Sequence, residues 1–285
     1  MPLSPPFKSM FSRIRRLYAY IVIGLFSITF CTTSSAKDTE QLTIVSLAPH
    51  LTEWVYSLGL QQHLVAVSDY SDYPTAAKAL PRVADYQGAD IAAIVALKPS
   101  LVLAWDGGNK PQDIHKLRAL GINVFSSRIS SIEDIASELI KLGELTKKEK
   151  AAHALAQRFR NELKALIKKY GNKPYKPVFY YSWTSPLMTI GPRAWPNKLL
   201  NVCGAQTAFV DSPVDYPQVS IKDVLTKQPA ALVAAVKNTP EALSPFWAPH
   251  RGFLQAPLIV VNPDVTSRFS LRLINELKNL CEGIN

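Results

Sequence analysis

Between Thr146 and Tyr170 the apolar residues recur at the spacing of a helix. They are separated by 3, 4, 4, 3 and 4 residues, at Ala152, Leu155, Phe159, Leu163, Leu166 and Tyr170. This spacing places them on one stripe, while Lys and Arg occupy the other faces. Thr146 followed by Glu149 predicts a capping box at the start of the helix. Gly171 predicts its end.

Short apolar runs alternate with helical patterns on both sides of this helix. The runs predicted to form strands are residues 42–47, 64–67, 101–105, 122–125, 178–183, 231–234 and 258–261. Such alternation indicates sheets that are mainly parallel. We therefore predict an α/β fold of two similar lobes with mainly parallel central sheets, joined by one long backbone helix. The alternative is a single domain that carries this helix on its surface.

One segment of the first predicted lobe matches a segment of the second at an offset of 130 residues. The helical pattern at 91–95 aligns with 221–225, Pro99 with Pro229, and the apolar run 101–104 with 231–234. Two lobes of the same design explain this match. Chance is the alternative, because helix–proline–strand joints are common.

The first 36 residues have the pattern of a secretory signal peptide. A basic segment from Lys8 to Arg16 precedes an apolar run of 14 residues, which is too short for a comfortable membrane span. Small residues then allow cleavage after Ala36. The alternative is a retained membrane anchor, and the bulky Phe30 argues against lipid attachment at Cys31. The predicted organisation is a signal peptide (1–36), a first lobe (37–145), a linking helix (146–171) and a second lobe (172–285).

Charge and cysteine content narrow the range of functions. The net charge of the chain is +10, and without residues 1–36 it has 28 basic and 22 acidic residues. No basic stripe is interleaved with aromatic residues, which argues against a nucleic-acid partner. Cys203 and Cys281 remain after cleavage, and an even pair in an oxidising compartment favours a disulfide. Two buried thiols are the alternative.

The chemistry-bearing residues point to a binding protein rather than to an enzyme. The sequence has no HExxH or GxSxG motif and no Cys/His cluster at metal-ligand spacing. Aromatic residues, however, recur after the predicted strands, at Tyr70, Tyr73, Tyr86, Trp105, Trp183, Tyr216 and Trp247. Ligands of α/β proteins bind beyond the carboxyl ends of the strands. These rings therefore favour a site for a large, flat, partly apolar ligand, although some of them are ordinary core or surface residues.

Several segments resemble the periplasmic cobalamin-binding proteins over residues 42–282. They are SDYSDYP (68–74), IVALKP (94–99) with AW (104–105) and GGN (107–109), PQVS (217–220), and DVTSR (264–268) with Ser270 and Arg272 after it. The resemblance implies two α/β lobes joined by a rigid helix. It also implies a monomeric periplasmic protein that binds cobalamin and delivers it to an ABC importer, without catalysis and without a cofactor of its own.

The same resemblance implies particular site residues. The ligand-binding set is Tyr70, Tyr86, Trp105, Met188, Tyr216, Asp264, Val265, Thr266, Ser267 and Arg268. Cys203 and Cys281 resemble the disulfide pair of the family. The chain has Tyr86 and Tyr216 where the family often has Trp, and Met188 where it can have Phe. The polar tip of Tyr and the flexibility of Met remain compatible with a corrinoid.

Docking to the permease is where the chain departs most from this family. The resemblance implies one exposed Glu on each lobe, but the aligned positions are Ala92 and Lys222. Asp90 and Asp223 lie close by and are our candidates for the docking pair. The alternative is that both acids only stabilise helix starts.

Two other functions remain open from the sequence. Siderophore- and haem-binding proteins share the fold, and would use Tyr70 or His50 as a ligand. A secreted enzyme that processes corrinoids or metals is the second alternative.

Overall fold

The computed structural model describes residues 42–171 and 174–285. The predicted signal peptide, including Cys31, lies outside the described residues. In the part that is described, no helix is both long enough and apolar enough to cross a membrane.

The first lobe is built on a six-stranded sheet. Its strands are β1 (Ile44–Ser46), β2 (Leu64–Ser68), β3 (Arg82–Asp85), β4 (Gly88–Ala89), β5 (Leu101–Asp106) and β6 (Val124–Arg128). They lie in the order β4-β3-β2-β1-β5-β6, and only β3 and β4 pair antiparallel. The helices of this lobe are α1 (Pro49–Ser57), α2 (Ile91–Ala96), α3 (Pro111–Ala119) and α4 (Ile132–Leu145).

The second lobe repeats the central part of this arrangement. Its strands are β7 (Lys176–Thr184), β8 (Leu187–Thr189), β9 (Ala205–Thr207), β10 (Ala231–Ala235) and β11 (Leu258–Val261). Strands β11, β10 and β7 are parallel neighbours, as β6, β5 and β1 are in the first lobe. Its helices are α6 (Trp195–Val202), α7 (Ile221–Lys227), α8 (Pro240–Trp247), α9 (Pro263–Thr266) and α10 (Leu273–Ile284), where α5 is the linking helix. The prediction of two similar, mainly parallel lobes is confirmed, and the segments 130 residues apart are α2–β5 and α7–β10.

The linking helix α5 runs over Glu149–Leu166 and ends in a wider turn, Ile167–Gly171. The predicted capping box at Thr146 is wrong. Thr146 instead ends the preceding helix α4, and its hydroxyl donates to the carbonyl of Leu142 at 2.7 Å. Helix α5 crosses α4 closely, because a Cβ at Gly143 would lie 2.3 Å from the Cβ of Ala152.

Both sheets bury an outer and an inner face. The outer cores are separate, one around Val102 and Ile94 and the other around Phe179 and Trp247. The inner faces share one continuous core, which includes residues of α1, α4, α5, α6 and α10. A core that continues from one lobe to the other through α5 favours a fixed relation between the lobes.

The second lobe also contains a disulfide. Cys203, which ends α6, is bonded to Cys281 of α10. The predicted pairing is therefore confirmed, and the bridge ties the last helix to the body of its own lobe. The sequence patterns did not predict the short strands β3, β4, β8 and β9 or the short helix α9.

Candidate functional site

The floor between the two lobes is a cluster of aromatic rings centred on Phe269. The ring of Phe269 meets Trp105 of the first lobe at 5.3 Å and Trp195 of the second at 4.7 Å between centroids, edge to face in both cases. His50 packs on Phe269 as well, at 5.2 Å. The indole NH of Trp54 donates to the carbonyl of Phe269 at 2.9 Å. A segment of the second lobe is thus inserted among rings of the first.

Trp105 is fixed in this floor by the turn that follows it. The Asn109 side chain accepts a hydrogen bond from the Trp105 backbone NH at 2.7 Å and donates one to the Leu47 carbonyl at 2.8 Å. Gly108 lies so close to the indole that a Cβ would be 1.7 Å from a ring atom. The glycine is therefore required for the position of the ring. The turn thus fixes the position of Trp105, a predicted binding residue.

His50 lies beneath the floor and is enclosed. The pKa of His50 is lowered to about 3, mainly by burial and to a smaller extent by the nearby charge of Arg268. The ring is therefore neutral at ordinary pH. Its Nε2 lies 3.4 Å from the Ser127 hydroxyl. Only 3% of the residue is exposed, so His50 is not accessible to a bound haem or siderophore.

An ion cluster joins the lobes beside the aromatic floor. We use this name for Glu53, Asp72, Lys237, Asp264, Arg268 and Arg272. Glu53 of α1 accepts from Arg272 Nε at 2.8 Å and lies 3.5 Å from Arg268 Nη1. Asp72 accepts from Arg268 Nη1 at 2.7 Å. Burial disfavours the charged form of Asp72, but the hydrogen bond and charge of Arg268 outweigh it and lower its pKa. The first lobe supplies these two acids, and the second supplies both arginines.

The rest of the cluster lies within the second lobe. Asp264 Oδ2 is 2.6 Å from Lys237 Nζ, and its other oxygen is 3.6 Å from Arg268 Nη2. Asp264 is not the cap of helix α9, because Asn262 has this role and its side chain accepts from the Asp264 backbone NH. Arg268 is thus surrounded by three carboxylates, and only 8% of its side chain is exposed.

Two of the predicted binding residues of the first lobe are highly exposed. Tyr70 follows β2 and is 74% exposed, and Tyr86 follows β3 and is 85% exposed. Tyr73 lies near Tyr70 and stacks under the guanidinium of Arg272 at 3.7 Å. Because Asp72 and Tyr73 both contact the second lobe, the loop that carries Tyr70 lies next to the ion cluster.

Met188 and Tyr216 lie on two neighbouring segments along one edge of the second lobe. Met188 of β8 bridges to Gln218, and Thr189 donates to the Pro217 carbonyl at 3.0 Å, so the segment after Tyr216 follows β8. Burial and the charge of Asp215 raise the pKa of Tyr216. Nearby, burial raises the pKa of Tyr180 to about 12. Both phenols are therefore neutral hydrogen-bonding groups.

The remaining residues of the predicted ligand loop divide between core and surface. Val265 and Thr266 are buried, and Ser267 is exposed. The Thr266 carbonyl accepts from the Trp195 indole at 2.9 Å. The structure therefore brings Asp264 and Arg268 to the interface between the lobes, while Val265 and Thr266 pack inside the second lobe.

The four residues considered for docking lie at the starts of α2 and α7. Asp90 caps α2 by accepting from the Ala93 NH at 3.0 Å. Asp223 forms a capping box with Ser220, and these hydrogen bonds lower its pKa. Both acids are thus helix-stabilising groups. Ala92 and Lys222 are exposed beside them.

Sequence reasoning missed Glu53 and Phe269, whereas Asp72 and Arg272 were noticed only within the segments that carry the resemblance. Trp183 was noticed as a ring after a strand but was not included in the site. No group of three or more His, Cys, Asp or Glu that could hold a metal occurs within residues 42–171 and 174–285. A cavity of about 690 Å³ lies on the first lobe, lined by β6, α3 and α4, and it includes none of the predicted site residues.

Comparisons with known proteins agree with the fold. The model of the periplasmic binding protein family matches residues 44–244. The vitamin B12-binding protein of Yersinia pestis (strain Pestoides F) is 38% identical over 240 residues, which cover 84% of this chain and 85% of that protein.

Solved structures of periplasmic binding proteins have a similar fold. The periplasmic vitamin B12 binding protein BtuF of Vibrio cholerae superposes with a TM-score of 0.76 at 34% identity, covering 85% of this chain and 96% of that one. A periplasmic heme binding protein from Pseudomonas aeruginosa has a TM-score of 0.69 at 24% identity, with 84% and 91% covered. At that identity the second likeness concerns the fold alone.

Proposed function

Because the chain belongs to the periplasmic binding protein family, we propose that it captures cobalamin between its two lobes and delivers it to the permease of an ABC importer at the inner membrane. The observation that carries this proposal is the identity of 38% over 240 residues with a protein named as a vitamin B12-binding protein. Membership of the family implies a role in binding and transport without catalysis.

The chemistry of the interlobe surface supports a corrinoid ligand. A corrin is a large flat ring with amide side chains around its edge, so it needs both apolar contacts and hydrogen-bond partners. Tyr70, Tyr86 and Trp105 from the first lobe, with Met188 and Tyr216 from the second, provide the apolar contacts in this proposal. Asp264 and Arg268 provide an acceptor and donors for the amides, with Ser267 at the rim. Cobalt arrives with the ligand, and the protein needs no metal of its own.

Haem or an iron-siderophore is the second candidate ligand. Tyr70 is the observation in its favour, because its phenol is exposed at the end of a strand. His50, the other candidate for coordination, is enclosed. Under this candidate function, Tyr70→Phe would abolish binding, whereas a corrinoid that stacks on the ring would tolerate the same change.

Titration calorimetry of the protein with cyanocobalamin, haemin and a ferric siderophore tests the two candidates. We expect saturable binding of cyanocobalamin at one site, with no comparable binding of haemin or siderophore. Binding of haemin alone, with an absorption shift that Tyr70→Phe removes, would replace the proposal by the second candidate. Chemical change of recovered cyanocobalamin would contradict the absence of catalysis.

Periplasmic localisation and docking are part of the same proposal. We propose that residues 1–36 are removed on export, that the mature protein is monomeric, and that Asp90 and Asp223 contact the permease. Two related acids on two similar lobes suit a permease of two-fold symmetry. Intact-mass measurement and sedimentation of the periplasmic protein check the first two points.

Reconstituted uptake with the cognate permease checks the docking residues, comparing Asp90→Arg, Asp223→Arg and the double variant with wild type. Loss of uptake with unchanged cobalamin binding is expected. Normal uptake in all three would restrict both acids to their capping role.

A further inference from the structure

Strand β7 contains one extra residue close to its carboxyl end. Tyr181 is opposite Thr189 of β8, and Trp183 is opposite the very next residue, Met188. Ser182 therefore has no partner on β8, which is the arrangement of a β-bulge. A bulge reverses the alternation of side chains along the strand beyond it, and such bulges re-aim side chains next to binding sites.

The reversal moves Trp183 away from the outer core. Tyr181 faces that core, where it stacks on Phe179 at 5.5 Å and meets Trp247 at 5.7 Å. In a regular strand, Trp183 would face the same side as Tyr181. Residues directly opposite each other in an antiparallel pair share a face. Trp183 consequently shares the face of Met188, which is opposite to that of the buried Leu187.

Trp183 presents its ring in a fixed orientation. Its indole NH donates to the carbonyl of Ser185 at 2.8 Å, across the turn between β7 and β8. The only polar atom of the side chain is therefore satisfied within the hairpin, and both faces of the ring are apolar. The residue is 62% exposed, whereas the other four tryptophans of the chain are buried or half-buried. The exposed, oriented indole therefore offers a flat apolar surface that a ligand can stack on.

Neighbouring contacts locate this ring at the site. Met188 bridges to Gln218, two residues after Tyr216. Burial raises the pKa of Tyr216 and a hydrogen bond from the Trp195 backbone opposes this effect, so the Tyr216 phenol lies close to the main chain of Trp195. Trp195 in turn contacts Phe269 in the interlobe floor. Trp183 thus belongs to the edge of the second lobe that carries Met188 and Tyr216.

We propose that Trp183 is an additional ligand contact that stacks, together with Met188, against a flat conjugated face of the ligand. This inference rests on the proposed function and adds to it a residue that determines specificity for planar ligands. Met188 is smaller and more flexible than an aromatic residue, and the nearby indole restores a rigid flat surface.

Calorimetry with cyanocobalamin on Trp183→Ala and Trp183→Phe tests the stacking role. We expect Trp183→Ala to weaken binding about tenfold, and Trp183→Phe to remain within about threefold of wild type, because the phenyl ring keeps a flat face but loses the hydrogen bond to Ser185. Phe253→Ala is the matched control. Phe253 is 73% exposed, and its carbonyl contacts Gln228, which precedes β10, so it lies at the amino ends of the strands, away from the site.

Hydroxyl-radical footprinting of the wild-type protein, read by mass spectrometry, avoids any effect of substitution on folding. Cyanocobalamin should protect Trp183 and leave the modification of Phe253 unchanged. If the wild type binds cyanocobalamin but Trp183 is unprotected and Trp183→Ala binds normally, the inference is wrong and the proposed function stands. If the wild type does not bind cyanocobalamin, the proposed function fails and this inference fails with it.

Discussion

The two lobes share a topology but make opposite contributions to the interface between them. The first lobe supplies carboxylates, Glu53 and Asp72, and a socket of rings. The second supplies Arg268 and Arg272, with Phe269 between them as the inserted ring. A repeated β–α arrangement therefore does not produce a symmetric interface, because the complementary charges and most of the rings lie on helix α1 and on loops outside the repeated α2–β5 and α7–β10 segments.

The lobes also differ in how each is held together. The second lobe contains the Cys203–Cys281 bridge, whereas the described residues of the first lobe include no cysteine. The first lobe has six strands in one continuous sheet, and the second has two short strands, β8 and β9, that pair with different ends of β7. The lobe with the smaller sheet is thus the one with a covalent link.

Removing the covalent link should have the largest effect on stability. For Cys203→Ser with Cys281→Ser we expect the free energy of unfolding to fall by roughly 4 kcal/mol, since the bridge closes a long loop in the unfolded chain. Urea denaturation measures the loss. Hydrogen exchange should accelerate in α6 and α10 more than in α1 and α4, and equal acceleration in both lobes would contradict a local role.

Neutralising Glu53, the buried carboxylate at the interface between the lobes, should have the next largest effect on stability. Glu53→Gln leaves Arg272 without its buried carboxylate partner and removes one of the three carboxylates around Arg268, and we expect a loss of about 3 kcal/mol in the free energy of unfolding. Glu138→Gln is the matched control, because Glu138 is equally buried but its ion pair with Lys141 lies within the first lobe. Equal losses in the two variants would mean that Glu53 has no special role between the lobes.

The two arginines should separate stability from binding. We expect Arg268→Ala to weaken cobalamin binding by about 1.5–3 kcal/mol, the value of hydrogen bonds from a charged donor. Arg272→Ala removes a cation from the same cluster outside the predicted ligand loop, so it should lower stability with little effect on affinity. Calorimetry and urea denaturation on both variants make the distinction, and unchanged affinity in Arg268→Ala would refute its role in binding.

Lowering the pH should reduce the stability of the folded protein through His50, which lies among the rings of the first lobe. The unfolded chain takes up a proton near pH 6.5, whereas the folded protein does so only near pH 3. Because the folded pKa is lowered, stability is fully present above pH 6.5 and falls as the pH decreases. Between pH 7 and pH 5 the wild type should lose about 2 kcal/mol more than His50→Asn. The exposed His115→Asn is the control, and the same pH dependence in both variants would exclude His50 as the cause.

Ligand binding should change the relation between the lobes least of all. They share a continuous core along α5 and a second connection through the ion cluster, so closure would require breaking both. Small-angle scattering curves with and without cyanocobalamin should superimpose. A decrease in the radius of gyration of several ångströms would contradict this expectation.

Hydrophobic patterns were sufficient for the long elements, because period alone distinguishes α5 from strands such as β5 and β10. They were insufficient for the short pieces β3, β4, β8 and β9, which have too few residues to show a period. Thr146 fits the sequence rule for a cap at the start of α5. In the structure it ends α4 instead, because α4 ends only a few residues before α5 begins.

The ion-pair partners of Arg268 could not be predicted from the sequence, for another reason. Glu53 lies 215 residues away, and only the folded chain brings them together. The bulge at Ser182 was equally hidden, because it depends on the pairing of β7 with β8. The resemblance to the cobalamin-binding proteins predicted which residues would bind a ligand. It did not predict which charged residues connect the two lobes.

A fixed connection between the lobes would also have a consequence for the proposed delivery to a permease. Lobes that do not move present the same α2 and α7 surfaces whether the cleft is empty or filled. A permease that recognises only those surfaces cannot discriminate between the two states, because equal affinity for both shifts no equilibrium. Unloaded protein would then act as a competitive inhibitor of uptake. Import should therefore slow when this protein is produced in large excess over its ligand, and it should recover when ligand is added.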